Sequence, residues 1–122
     1  MPIKLWLDDV RDPAEYGLAG WTWVKTVDEA KALLKTGDVL VASLDHDLGA
    51  CDECMGGMSA VDWLVTHGYA SMPHCSHFGT GYDLVCWMEE TGTWPSIGTA
   101  VHSANPVGAE RMRKVIARAE PV

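Results

Sequence analysis

The chain has 122 residues, of which 48% are hydrophobic, and a formal net charge of −8. These figures predict one globular domain over residues 1–122, long enough to bury a core of its own. Nine Lys and Arg spread through an acidic chain exclude a general duplex DNA binder, because that polyanion needs clustered basic residues, but they do not exclude one phosphorylated small molecule.

Met1 to Asp9 has no charged start followed by a long apolar run, so no signal peptide is predicted. No stretch approaches the roughly 18 uninterrupted apolar residues of a membrane span, and the expected compartment is the cytoplasm. The six Trp are expected to anchor the core or line a pocket, since each brings a large apolar area and one N–H to satisfy.

Ile3 to Leu7 is short and apolar and runs into Asp8-Asp9, which reads as a buried strand ending in two carboxylates. Asp12-Pro13 breaks the chain, and Trp21 to Val24 reads as a second strand. Thr26 with Glu29 makes a capping-box pattern, Ala30, Leu33 and Leu34 an apolar stripe, and Gly37 a stop, so a helix is predicted over 27–35. Val39 to Leu44 is apolar at nearly every position, the pattern of a central parallel strand covered on both faces, and ends in Asp45-His46-Asp47.

Residues 50–81 are the least regular. A short helix is predicted over 59–67, another over 82–91 with Gly92 as its stop, and a strand over 97–101 leading to His102-Ser103. Asn105 as cap and Pro106 at the first helical position predict a last helix over 107–118. Its Arg111, Arg113, Lys114 and Arg118 are read as a solvated face.

Alternating strands and helices imply an α/β fold with a mostly parallel sheet flanked by helices. Ligands of such sheets bind outside the carboxyl ends of the strands. Three predicted strands end there in polar groups: Asp8-Asp9, Asp45-His46-Asp47 and His102-Ser103.

Two chemistries follow. Cys51 and Cys54 form a C-x₂-C pair, and Cys75 and His77 a C-x-H pair after a spacer of about twenty residues, close to structural zinc spacing. His74 is the alternative fourth ligand. A closed four-ligand ion would staple an irregular insertion at about 50–81. Cys86, on an apolar helix face, is expected to be packed. The second chemistry is an oxygen-rich pocket of Asp8, Asp9 and Asp45 or Asp47, suited to Mg²⁺ or a similar hard cation. His46 or His102 would act as general acid or base, with Asp45 beside them. Ser103 offers a hydroxyl, the helix start near Asn105 free N–H groups for a phosphate, and Arg11 a cation. Thr80 could form one wall, while Gly79 and Gly81 read as a turn.

The Leu-Trp-Leu-Asp-Asp-Val-Arg start resembles response-regulator receiver domains. More closely, four segments resemble the cyclic-phosphate processing receiver domain family of bacteria and their phages: Leu7 to Arg11, Ser43 to Gly49, Gly79 to Asp83 and His102 to Gly108. That resemblance implies a small receiver-like, flavodoxin-like sheet and an enzyme, a phosphoric ester hydrolase acting on cyclic or terminal phosphates of nucleotides or nucleic-acid ends. The alternative is a non-catalytic module that sequesters a nucleotide or binds a protein partner. True receivers carry a Lys-Pro after the last strand; here Ser103-Ala104-Asn105-Pro106 has no Lys, which argues against phosphorelay signalling.

Overall fold

Two apolar runs set the centre of the fold. Ile3–Leu7 forms β1 and Val39–Leu44 forms β3, and they lie side by side and parallel, with Leu5 opposite Ala42 and Leu7 opposite Leu44. This is a computed structural model, which describes residues 2–48, 56–68 and 79–121. β2 (Thr22–Val24) pairs with the other edge of β1, and β4 (Gly98–Val101) with the other edge of β3. The order is β2-β1-β3-β4 and every pair is parallel. The carboxyl ends of β1, β3 and β4 are therefore neighbours, as the strand-end reading required.

The helices are α1 (Val27–Leu34), α2 (Ala60–His67), α3 (Gly81–Thr91) and α4 (Pro106–Ala119). Their starts follow local chemistry. The Thr26 hydroxyl accepts from the Glu29 amide, and Asn105 Oδ1 accepts from the Gly108 amide with Pro106 in the first turn. The capping box of α3 is built by Thr80 and Asp83, and Gly92 ends that helix in the left-handed region at φ 68°. A short 3-10 turn at Pro13–Tyr16, capped by Asp12, occupies the stretch read only as a chain break.

Alternation along the strands divides the sheet into two unlike faces. Leu5, Leu7, Ala42 and Leu44 pack with Val27, Ala30 and Leu34 of α1, Leu84, Val85 and Met88 of α3, and Met112 and Val115 of α4 in one core. Fully burying each large apolar side chain contributes about 1.5–3 kcal/mol. The opposite face carries Trp6 and Ser43. There the β1–β2 connection supplies the cover: Tyr16 stacks on Trp6 at 6.0 Å, and Trp21 meets it edge-on at 6.3 Å. β3 is thus covered on both faces as expected, but by unlike layers: α1, α3 and α4 gather on one face and an aromatic layer forms on the other.

Trp6 is buried and the remaining five Trp are half-buried. Cys86 is half-buried on α3. The basic residues of α4 are exposed, as read; Arg118 forks onto Glu89 of α3, and Arg111 lies over the Tyr82 ring at 4.1 Å. Among the described residues, no helix is long and apolar enough to cross a membrane. Cys51, Cys54, Cys75 and His77, with His74 as the alternative, lie outside the described residues.

Candidate functional site

Asp8 follows β1 directly and is fully buried. The chain reverses there because Asp8 Oδ1 accepts from the amides of Val10 and Arg11, both at 2.9 Å. Two indoles pin the same turn: Trp6 Nε1 donates to the Arg11 carbonyl and Trp23 Nε1 to the Asp8 carbonyl. One strand over, the Asp45 amide continues the ladder by donating to Leu7 O, and its side chain accepts from the His46 amide at 2.8 Å. One carboxylate oxygen from each of Asp8, Asp9 and Asp45 lies within 4.8 Å of the other two.

Helix α3 presses on this edge through Gly81. A Cβ there would fall 2.0 Å from the Asp45 carbonyl oxygen, so only glycine fits, and its amide donates to His46 O. Gly79, at φ 73°, makes the preceding turn.

The three carboxyls differ in their electrostatics. Burial drives Asp8 upward, but hydrogen bonds from His102 and from the Arg11 and Val10 amides outweigh it and hold the group below its ordinary value. Burial raises Asp9, helped by the charges of Asp8 and Asp47. Burial, then the Asp8 charge, pushes Asp45 up to about 6. One ionised carboxylate thus stands beside two whose ionisation is opposed. The donor set fits a hard cation, which takes oxygen ligands and would relieve that repulsion.

The two histidines flank this group differently. His102 Nε2 lies 3.0 Å from Asp8 Oδ2, and its Nδ1 lies 2.7 Å from Ser43 Oγ. Its ring stacks on Trp6 at 3.8 Å and 7°. Arg11 Nη1 donates to the His102 carbonyl and stands 4.0 Å from Asp8 Oδ2. His46 instead turns toward α4. Its Nδ1 lies 2.8 Å from Asp47 Oδ1, and its ring lies where a Cβ on Gly108 would come within 2.5 Å. Asn105 Nδ2 reaches Asp47 Oδ1 at 3.5 Å.

The family model for the cyclic-phosphate processing receiver domain matches residues 3–78 and 74–118. The chain belongs to this family. No curated protein and no solved structure gives a significant match. This cyclic-phosphate processing receiver domain therefore has a receiver-like α/β sheet, with its acidic group at the strand ends.

Its other residues fall into place around that group. Asp45, and not Asp47, joins Asp8 and Asp9, because Asp47 is drawn to His46 and Asn105. Thr80, expected at a pocket wall, spends its hydroxyl on the Asp83 amide and bridges Asp47 through its backbone. Ser103 accepts from the Asn105 amide at 3.0 Å, and Asn105 Oδ1 caps α4. These three residues serve turns and helix starts before any ligand. Ser43, Trp6 and Trp23 were not among the candidates. A single hydroxyl in an apolar strand and indole N–H groups needing acceptors were the available signals.

Proposed function

We propose that this cyclic-phosphate processing receiver domain is a phosphoesterase that opens a cyclic phosphate, or trims a terminal one, on a nucleotide or nucleic-acid end. The observation that carries this reading is the meeting of Asp8, Asp9 and Asp45 within 4.8 Å at the strand ends, with an Arg and two histidines around them. Asp8, Asp9 and Asp45 would hold Mg²⁺ or a similar divalent cation, which when bound polarises a phosphoryl oxygen.

The chain's own residues divide the remaining work. Asp47 can only accept a hydrogen bond when ionised, so His46 carries its proton on Nδ1 and offers the Nε2 lone pair. Nε2 has no partner among the described residues, and the side chain is 14% exposed. It takes a proton from an attacking water as the water oxygen bonds to phosphorus. The ring P–O bond breaks, and the leaving oxygen takes a proton from solvent, to which the His46 imidazolium returns the proton it took. Asp47, held by Asn105, orients the imidazole in the manner of an acid–histidine pair. Arg11, whose Nη1 is tied to the His102 carbonyl, supplies positive charge beside the phosphate.

Zinc on Cys51, Cys54, Cys75 and His77 would hold the 50–81 insertion. Cys51→Ser and Cys75→Ser should each lower the zinc content of the purified protein; unchanged content would remove the assignment. The function is tested by incubating the chain with cyclic mono- and dinucleotides plus Mg²⁺ and weighing the products. A linearised nucleotide is expected. Recovery of bound but intact ligand after denaturation would overturn the enzyme and leave a sequestering module.

A further inference from the structure

We infer that Ser43 is a positioning residue of the acidic site, acting on Asp8 through His102. The inference deepens the reading of Asp8 as a cation ligand and rests on it. An ionised carboxylate accepts hydrogen bonds and donates none, so the His102 nitrogen facing Asp8 Oδ2 at 3.0 Å carries a proton whether the ring is neutral or charged. In the neutral ring the lone pair then lies on Nδ1, where Ser43 Oγ stands 2.7 Å away and supplies its O–H. Ser43 is 8% exposed, so water competes little for that bond.

The strand register produces this contact. Ser43 lies opposite Trp6 of β1 and Ala100 of β4, and His102 lies two residues beyond Ala100, on the same face by alternation. The Trp6 indole backs the imidazole at 3.8 Å, and the His102 amide donates to Leu44 O. Turning the ring would break two hydrogen bonds and a stack. Asp8 is consequently fixed through both oxygens, Oδ1 by backbone amides and Oδ2 by the Ser43–His102 chain. His102 has no nitrogen left to take a proton from substrate.

Residues bonded directly to a metal ligand, as His102 is to Asp8, typically change metal affinity 10–100-fold; Ser43 stands one bond further out, so the lower end of that range is the ceiling. The test is a Mn²⁺ titration followed by electron paramagnetic resonance, with nitrogen–proton NMR of the imidazole rings, on wild type, Ser43→Ala and Ser43→Thr. Ser43→Ala should weaken Mn²⁺ binding by up to about tenfold and move the His102 Nδ1 signal to that of an unbonded nitrogen. Ser43→Thr, which keeps the hydroxyl, should restore both. Unchanged affinity and ring signals in Ser43→Ala, at unaltered melting temperature, would overturn the inference, as would a Thr variant that behaves like Ala. If the wild-type chain takes up no Mn²⁺, the cation reading fails by itself. The ring spectra then decide whether Ser43 sets the His102 proton, and an unchanged Nδ1 signal in Ser43→Ala overturns that too.

Discussion

His46 and His102 both lie just past a strand end, yet their surroundings differ in kind. His102 belongs to the face of Trp6 and Ser43, where both ring nitrogens are occupied and one ring face is covered by an indole. His46 comes one residue after Asp45, so alternation sends it to the helix-packed side. There Nδ1 is the nitrogen engaged among the described residues, and the ring rests on the first turn of α4. Residue type and position in the sequence do not separate the two. The pleat does: one histidine becomes part of the scaffold of the acidic group, and the other has no partner on Nε2 among the described residues.

The sharpest way to break this contrast is to remove each ring. His46→Ala should cut turnover by about 10²–10⁴, the usual worth of a positioned acid or base, while leaving divalent-cation affinity unchanged; because the side chain is only 14% exposed, some loss of melting temperature accompanies it. His102→Ala should act the other way round. It strips partners from Asp8 and Ser43, so it should destabilise the fold by about 1–3 kcal/mol in urea titrations and weaken Mn²⁺ binding. Equal losses of turnover with unchanged Mn²⁺ affinity in both variants would erase the distinction.

Smaller changes probe how the helix-packed side is held. Gly81→Ala sets a methyl against the Asp45 backbone, which cannot yield as a flexible side chain would. We expect a cost of about 1–3 kcal/mol, read from chemical denaturation. Gly108→Ala strikes the His46 ring instead, at 2.5 Å. It should lower turnover more than it lowers the melting temperature, and the reverse order would place His46 outside the chemistry.

The last effect concerns pH. Asp45 titrates at about 6 in the folded chain against an ordinary 3.8. Between those values the folded state binds more protons than the unfolded state, so stability falls as pH rises through that window. Asp8, held below its ordinary value, contributes in the opposite sense, with stability that is lost only at lower pH. Urea midpoints of the chain in EDTA should therefore decline across the Asp45 window, and Asp45→Asn should flatten the decline. An unchanged slope in that variant would assign the effect to another group.

Much of this arrangement was legible in the sequence. β1 and β3 were readable to the residue because mostly apolar runs, broken only by Lys4 and Ser43, leave little choice of boundary. Asn105-Pro106 announced α4 through its cap. The acidic group was reachable because parallel strands place Asp8 and Asp45 at one edge. Ser43 was not, since a lone serine inside an apolar strand has no partner in the linear sequence. Its role appears only when β3 and β4 are in register and His102 falls beside it. Thr80 and Asp47 each have a polar group suited to a ligand, and each has a near partner in the fold that the linear sequence does not show. The Pro13–Tyr16 turn was hidden behind Asp12-Pro13, which signals a break and also caps a short helical turn.

The most direct test of the proposed chemistry is to incubate the wild-type chain with a cyclic nucleotide and Mg²⁺ in isotopically labelled water and to weigh the phosphate product. One solvent oxygen on the phosphate of a ring-opened nucleotide is the expected result. A cyclic nucleotide recovered unlabelled and intact from the denatured complex would contradict it.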